Sequence, residues 1–235
     1  MAGRVSLILC AILALLTLAT AHSAQPAGNV IYGVDFAGFP GGSALNWLGS
    51  KGFAPTQDAS NTNRVAYSVS GNDLVLAAKT QAFGLLLNEA QVRGYSMMHI
   101  EWGVDAFPPG ASYEKGIRSE AVMVYVFFGK KRLSSGSLLI PDSPYFIGLF
   151  LCESGLTNEP FKGSYFHAGG RYLCVDRPAL GKLVTSDFPI AETFMRVFGK
   201  NEAPDITGFG IAIDTGSAKG NGVAKSFVRK IEFLQ

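Results

Sequence analysis

Residues 97–128 read MMHIEWGVDAFPPGASYEKGIRSEAVMVYVFF, and the first third of this stretch alternates apolar and polar residues. Successive side chains of a β-strand point to opposite faces, so residues 97–107 are predicted to be a strand buried on one side. Its apolar face carries Met98, Ile100, Trp102 and Val104, and its polar face carries His99, Glu101 and Asp105. Residues 121–128 contain no polar side-chain atom except the Tyr125 hydroxyl, which predicts a central strand covered on both faces.

The rest of the chain continues as short strands separated by glycine- and proline-rich turns. Strands are predicted at residues 30–36, 64–69, 73–78, 83–88, 145–152, 165–168, 171–175, 181–188, 206–214 and 223–233. Residues 189–198 form the one predicted helix, with proline in its first turn and Gly199 at its end. Strands do not alternate with helices, which argues against a parallel sheet with a nucleotide crevice. The predicted fold is all-β, a two-sheet antiparallel β-sandwich of jelly-roll type with one short packed helix, in a single domain over residues 25–235.

Composition favours a well-packed globular protein, because 48% of the 235 residues are hydrophobic and only 16% are charged. The formal net charge of +2 provides no broad basic field that would attract nucleic acid or an anionic membrane. Any ligand must therefore be held by local contacts.

Residues 1–24 have the features of a secretory signal peptide. Arg4 lies near the N-terminus, residues 5–20 are apolar, and Ala19-Thr20-Ala21 is a small-residue cleavage site. A membrane anchor is the alternative, but the apolar run is shorter than the ~20 residues that a spanning helix needs. We expect a periplasmic or secreted protein with no integral membrane segment after cleavage, and Cys10 is removed with the signal peptide.

Two cysteines, Cys152 and Cys174, remain in the mature chain. An even number of cysteines in an oxidising compartment predicts a disulfide, which for a loop of this length stabilises the fold by ~3 kcal/mol. Two buried free thiols are one alternative. A redox pair is another, but the chain has no C-x-x-C motif.

The polar face of the strand at residues 97–107 is the predicted ligand site. The carboxylates of Glu101 and Asp105, next to His99, would accept hydrogen bonds from sugar hydroxyls, and an aromatic ring from Trp47 or Tyr113 would stack on the sugar. The alternative is a solvated sheet face, because alternation alone places polar residues there. Trp47 lies in a predicted loop and has its own alternative role, closing one end of the sandwich.

Motifs for metal, nucleotide or nucleophilic serine sites do not occur in the sequence. The three histidines, His22, His99 and His167, lack the spacing of zinc ligands, and neither a phosphate-binding loop nor a G-x-S-x-G elbow is found. A structural Ca²⁺ at strand ends is conceivable, but aspartates there usually serve in turns. The aspartates concerned are Asp35, Asp205 and Asp214. No cofactor is predicted.

Two segments resemble a bacterial exported family, domain of unknown function 3047. Residues 99–111, HIEWGVDAFPPGA, resemble its W-x-V-x-x-L-P-x-G-A segment, which leads into a D-D-F-A-x-R-V-Y-V-x-F strand matched by residues 119–128. Residues 191–222, AETFMRVFGKNEAPDITGFGIAIDTGSAKGNG, resemble its helix and its following strand and loop. The resemblance covers roughly residues 83–235 and implies an exported β-sandwich without an assigned activity.

The chain departs from this family at its acidic positions. Its acidic pair is reduced to Glu120, its last acidic loop to Asp214 with Ser217, and its strand arginine is Met123. A cation bound by those positions in the family would be lost here.

Two further strings are similar to elements of jelly-roll alginate lyases. Arg118-Ser119-Glu120 resembles their R-S-E-L-R element, and residues 165–169, YFHAG, resemble their Y-F-K-A-G element. This resemblance implies that Arg118 neutralises a uronate carboxylate and that Tyr165 and His167, on one strand face, act as acid and base. The Q-x-H element of those enzymes is absent.

Taken together, the sequence favours a non-catalytic β-sandwich that binds a glycan or a cell-envelope component. The alternative is a polysaccharide lyase that acts on an acidic, uronate-containing polysaccharide by β-elimination. A third hypothesis is a structural envelope protein that pairs through its sheet edges.

Overall fold

The computed structural model describes residues 28–235, so the predicted signal peptide, its cleavage site and Cys10 lie outside the described residues. The twelve strands of the described range are β1 (Val30–Asp35), β2 (Phe53–Gln57), β3 (Val65–Ser70), β4 (Asp73–Ala78), β5 (Phe83–Asn88), β6 (Met97–Ala106), β7 (Glu120–Leu133), β8 (Ser143–Leu151), β9 (Gly170–Asp176), β10 (Val184–Phe188), β11 (Ile206–Asp214) and β12 (Ala224–Leu234). The helices are α1 (Ala44–Ser50) and α2 (Ile190–Phe198), with a short 3-10 helix at Asp58–Ser60.

These strands form two six-stranded sheets. Sheet A has the order β10-β6-β12-β4-β3. Strand β4 pairs with the first half of β12, and β1 pairs with its second half. Sheet B has the order β2-β5-β11-β7-β8-β9. Neighbouring strands are antiparallel except β8 and β9, because the long segment between them returns the chain to the start of β8. The predicted all-β, two-sheet sandwich is confirmed, with this one parallel pair as an exception.

The core lies between the two sheets and follows the predicted alternation. Met98, Ile100, Trp102 and Val104 of β6 are all fully buried. The indole nitrogen of Trp102 donates a hydrogen bond to Ser186 Oγ at 3.0 Å, which satisfies the only polar atom of that side chain. Helix α2 packs on one end of the sandwich, where the Phe194 ring lies 4.6 Å from the ring of Phe128.

Three local features differ from the sequence prediction. Trp47 lies in α1 rather than in a loop. Ser43 caps the N-terminus of this short helix, because its Oγ accepts a hydrogen bond from the Asn46 N–H. Strand β2 is not among the predicted strands; it contains Pro55, which is tolerated because β2 lies at a sheet edge. Residues 165–168, predicted as a strand, form a turn instead.

The cause of this turn is visible in the backbone. The N–H groups of Gly169 and Gly170 both donate to the carbonyl of Phe166, which folds the segment back on itself. The predicted strands at residues 165–168 and 171–175 therefore do not pair across these glycines, because only the second one forms. Strand β9 begins at Gly170 and pairs with β8.

Candidate functional site

The predicted ligand face is the outer face of sheet A, and its charged groups are paired with one another. His99 Nδ1 lies 2.6 Å from a carboxylate oxygen of Asp187 on β10, and His99 Nε2 lies 3.4 Å from Glu101 Oε1. Lys230 on β12 forms an ion pair of 3.0 Å with Glu101, and Lys225 forms one of 2.9 Å with Asp105. Glu101 and Asp105 thus each have an ionic partner, and His99 has a hydrogen-bonding partner on each ring nitrogen.

This pairing changes both the exposure and the electrostatics of the face. His99 is only 2% exposed, although it points away from the core. Burial would raise the pKa of Glu101, but the hydrogen bonds from Lys230 and His99 outweigh it and hold that pKa below its usual value. A ligand at this face must compete with existing ion pairs.

The two predicted aromatic residues lie elsewhere. The Trp47 ring packs edge-on against Phe39, with centroids 5.2 Å apart, and Lys51 Nζ lies 4.7 Å from its centroid. Tyr113 is stacked on Phe150 of sheet B at 4.5 Å. The structure therefore brings together the three polar residues of β6 but places neither aromatic ring beside them.

The outer face of sheet B is apolar and follows a central strand of small residues. Phe209, Ile211 and Ile213 of β11 point into the core, so the alternate residues of that strand face outward. The outward residues are small on β11 (Gly208, Gly210, Ala212) and large on its neighbours β5 (Phe83, Leu85, Leu87) and β7 (Met123, Tyr125, Phe127). We call these nine residues the β11 face.

Part of the β11 face is open. Leu85, Leu87 and Phe127 are partly exposed, and Ala54 on the edge strand β2 is exposed. A Cβ atom at Gly210 would lie 2.7 Å from Leu85 Cδ1, so glycine is required for Leu85 to lie across β11. The result is a partly exposed apolar strip, formed by the β5 side chains and Phe127 where they lie over the buried residues Gly208, Gly210 and Ala212 of β11.

The other half of the outer face of sheet B is covered by two long segments. Tyr113 comes from the segment between β6 and β7, and Phe161 and Phe166 come from the segment between β8 and β9. Their rings pack on Phe150, on Tyr113 itself and on Phe146. The predicted disulfide between Cys152 and Cys174 is present, with a Cα–Cα distance of 5.7 Å, and closes the second segment.

An acidic pair lies at one end of the β11 face. A register shift after Ala212 places Asp214 of β11 opposite Glu120 of β7. Glu120 is 3% exposed, and its burial together with the nearby charge of Asp214 raises the pKa of Glu120 well above its usual value. Burial raises the pKa of Asp214 to about 6, although the Gly216 N–H donates to its Oδ1 at 2.8 Å. Two carboxyl groups so placed favour holding a proton.

Two tyrosines and an arginine complete this end of the face. The Tyr125 and Tyr172 rings meet edge to face, 6.2 Å apart, and burial raises the pKa of both hydroxyls, so each remains a neutral donor at physiological pH. Arg118 lies close enough to lower the pKa of Tyr172 in part. One Arg118 amino group donates to Ser164 Oγ at 2.7 Å, whereas its Nε is buried and has no hydrogen-bond partner among residues 28–235.

A groove of about 460 Å³ lies at the opposite end of the β11 face. Leu87 and Phe127 form apolar parts of its wall, Gly208 lies at its base, and Lys130 and Arg132 line its basic side. The open strip therefore runs from a basic groove to a buried acidic pair.

The residues predicted for a lyase are only partly brought together. Arg118 and Glu120 lie near Tyr172, but Tyr165 is 46% exposed and His167 is also exposed in the turn. Phe166, between them, has a φ of +58° and packs on Phe146. The expectation that Tyr165 and His167 share a strand face is wrong, because no strand forms there.

The aspartates considered for Ca²⁺ have other contacts. Asp35 and Asp214 each accept a hydrogen bond from a backbone N–H two residues later, and Asp205 forms an ion pair with Arg93 at 3.0 Å. Within residues 28–235, no group of three or more histidine, cysteine, aspartate or glutamate side chains is arranged to hold a metal ion.

None of the helices in residues 28–235 is long and apolar enough to cross a bilayer.

No family model matches the chain, and no curated protein matches it. The resemblance to domain of unknown function 3047 therefore stays a prediction. Among solved structures, the chain is similar to a low-affinity xylan-binding module from Roseburia intestinalis, at 10% identity and a TM-score of 0.34, over 79% of this chain and 91% of the module. It is also similar to a mutant of the Emp46p carbohydrate recognition domain, at 11% identity and a TM-score of 0.44, over 88% of this chain and 97% of that domain.

A third similar structure is the xyloglucanase domain of NopAA from Sinorhizobium fredii, at 11% identity and a TM-score of 0.41, over 87% of this chain and 100% of that domain. These identities and TM-scores are too low to support a conclusion about fold or function. The fold is defined by the strand order of the chain itself.

Proposed function

We propose that the protein is an exported, non-catalytic β-sandwich that binds a glycan chain along the β11 face. The observation that carries this proposal is the partly exposed apolar strip of Phe83, Leu85, Leu87 and Phe127 over β11, with polar groups at its two ends. From Thr207 to Asp214 the strip is about 23 Å long at the rise of a β-strand, which suits an extended chain. The C–H faces of sugar rings pack on apolar surfaces, and their hydroxyls need polar partners beside them.

The ion pairs of sheet A favour the β11 face over the site predicted from sequence. Binding at His99 or Glu101 would replace existing contacts with Asp187 and Lys230. Binding beside Leu87 and Phe127 would instead cover apolar area that is already exposed, which is favourable at roughly 25 cal/mol per Å².

The disulfide supports the exported part of the proposal. Cys152 and Cys174 form a bond that persists in oxidising compartments and is rare in the cytosol. This bond, together with the predicted signal peptide, supports a periplasmic or secreted location.

A glycan array tests the proposed site with two matched variants. Residues 25–235 would be applied as wild type, as Phe127→Ala on the β11 face and as Glu101→Ala on the outer face of sheet A. We expect wild-type binding to at least one polysaccharide, a loss of about tenfold or more in Phe127→Ala, and little change in Glu101→Ala. The reverse pattern would place the site on sheet A. If none of the three proteins bound any glycan, the proposal of glycan binding would be refuted.

A polysaccharide lyase is the second candidate, and the cluster of Arg118, Glu120 and Tyr172 favours it. Elimination at a uronate needs a cation beside the carboxylate, a base that takes the C5 proton, and an acid that protonates the leaving oxygen as its bond to C4 breaks. The neutral Tyr172 hydroxyl would be that acid. Alginate and related uronates would be incubated with the protein while absorbance of the unsaturated product is followed. Activity that is lost in Tyr172→Phe and kept in Tyr165→Phe would establish this candidate, and no absorbance change in wild type would eliminate it.

A further inference from the structure

The loop at residues 134–142, between β7 and β8, holds two leucines in solvent. Leu138 is 106% exposed and Leu139 is 92% exposed, and no other large hydrophobic side chain in the described part of the chain exceeds 60%. Exposed apolar side chains at a protruding tip are unfavourable in water, so they commonly mark a contact surface.

Internal hydrogen bonds fix this loop with its leucines outward. Ser135 is 1% exposed, and its Oγ donates to the carbonyl of Ile140 at 2.6 Å and accepts from the Ser137 N–H at 3.2 Å. Arg132 donates to the carbonyl of Asp142 at 2.6 Å, which closes the base of the loop. The exposure of the leucines is therefore a property of an ordered turn.

A run of basic residues leads into the same loop. Lys130, Lys131 and Arg132 are consecutive and all exposed at the end of β7. Within residues 130–142 the single acidic side chain is Asp142, which accepts a hydrogen bond from the Ser135 N–H at 3.2 Å. The loop and its base thus combine an apolar tip with a local excess of positive charge.

We propose that the 134–142 loop docks on an anionic lipid bilayer. Leu138 and Leu139 enter the interface between head groups and acyl chains, while Lys130 and Lys131 contact lipid phosphates. Two weak anchors of this kind, one apolar and one basic, together give stable peripheral binding. The net charge of the whole chain predicted no affinity for an anionic membrane. A net charge summed over 235 residues contains no information on where three adjacent cations lie.

A lipid surface suits this tip better than a second protein. Two adjacent leucines at the end of a loop form a narrow wedge, whereas a stable protein interface buries about 800 Å² on each partner. The neighbouring cations match the negative phosphates of a bilayer. This inference does not depend on the proposed glycan site.

Co-sedimentation with vesicles tests the proposal. Residues 25–235, which include all strands of both sheets, would be mixed with vesicles of phosphatidylcholine plus phosphatidylglycerol and with vesicles of phosphatidylcholine alone. We expect binding to the anionic vesicles, a decrease of about tenfold or more in the variant Leu138→Ser with Leu139→Ser, and a decrease of roughly fivefold for each lysine removed in Lys130→Ser and Lys131→Ser. Added salt should weaken binding of the wild type.

Matched controls are available on the same chain. Leu156→Ser removes an exposed leucine elsewhere, and Lys115→Ser with Arg177→Ser removes two exposed cations elsewhere, so both variants should bind as wild type. Leu139→Trp supplies a direct reporter, whose emission should shift to shorter wavelength on anionic vesicles. No binding by wild type, equal binding by the double leucine variant or an unchanged tryptophan emission would each overturn the proposal.

Discussion

Asp214 is the residue whose environment has the clearest consequence for stability. Its pKa rises from 3.8 to about 6 on folding because the carboxyl group is buried. Between pH 3.8 and about pH 6, the folded chain therefore holds a proton on Asp214 that the unfolded chain has released. The free energy of unfolding falls as the pH rises through this range. At neutral pH the raised pKa lowers the free energy of unfolding by up to about 3 kcal/mol, compared with a carboxyl group whose pKa does not change on folding.

The variant Asp214→Asn should remove the part of the pH dependence that Asp214 contributes, while Glu120, whose pKa burial also raises, keeps its own contribution. The asparagine stays uncharged, and its Oδ1 still accepts the hydrogen bond from Gly216. We expect the variant to gain up to about 3 kcal/mol over wild type between about pH 4 and about pH 7, measured by urea unfolding across that range. Glu159→Gln, at an exposed position, is the control. Parallel pH profiles for wild type and Asp214→Asn would contradict the buried, protonated state.

Trp102 provides a second test at the scale of one residue. Its indole N–H is fully buried and has Ser186 Oγ as its partner. Ser186→Ala should lower the free energy of unfolding by about 1–3 kcal/mol, because the N–H group is left without an acceptor. Thr185→Ala, one position along on the exposed side of β10, should change it by roughly 0.5 kcal/mol or less. Chemical denaturation followed by tryptophan fluorescence compares the two, and equal losses would refute the role of this hydrogen bond.

Sequence patterns identified single site residues better than their arrangement. Alternation predicted which side chains of β6 face outward, but it contains no information on Asp187 and Lys230, which come from other strands and neutralise them. Glu120 was identified through the two family resemblances, and Asp214 was considered as an aspartate at a strand end. Their proximity depends on the pairing of β7 with β11 and on a register shift, and neither is encoded in local spacing.

At the scale of elements, the disulfide makes the strongest prediction. It joins Cys152, at the end of β8, to Cys174 in β9, across a sequence separation of 22 residues. Replacing both cysteines by serine should lower the free energy of unfolding by ~3 kcal/mol on the chain-entropy model. Protease cleavage within residues 152–169 should also become faster.

Reduction provides the control for this prediction. Wild type treated with a reducing agent should lose the same stability, and the double serine variant should not respond to it. Unchanged stability after either treatment would show that the aromatic contacts of Tyr113, Phe161 and Phe166 hold this segment without the covalent bond.

The elements that sequence analysis missed are those in which tertiary contacts outweigh local propensity. Glycines on both sides of residues 44–50 favoured a loop, but Leu48 is fully buried there and Ser43 caps the helix. Strand β2 contains Pro55 and is formed nevertheless, because an edge strand needs hydrogen bonds on one side only. Long, strongly apolar strands such as β7 were predictable because few other environments accept them.

At the scale of the whole molecule, the ends of the two sheets bear on the hypothesis of a structural protein that pairs through its edges. Sheet A ends at β10 and β3, and sheet B ends at β2 and β9. Strands β10 and β2 have five residues each, and β2 contains Pro55. Short strands and an edge proline are devices that prevent edge-to-edge pairing.

We therefore expect residues 25–235 to be monomeric in solution, with the mass of one chain in sedimentation equilibrium at micromolar concentrations. The edge strands β1 and β3 are longer, at six residues each, and so remain the places where pairing would begin, whereas the outward backbone groups of β9 already bond to Asn158, Phe161 and Phe166. If a dimer is found, a proline at Val69 in β3 should dissociate it, because the Val69 N–H points away from β4 and proline removes this donor from the exposed edge. A dimer that such a substitution dissociates would favour the structural role over glycan binding by a single chain, since edge pairing would then be the property that the fold maintains in solution.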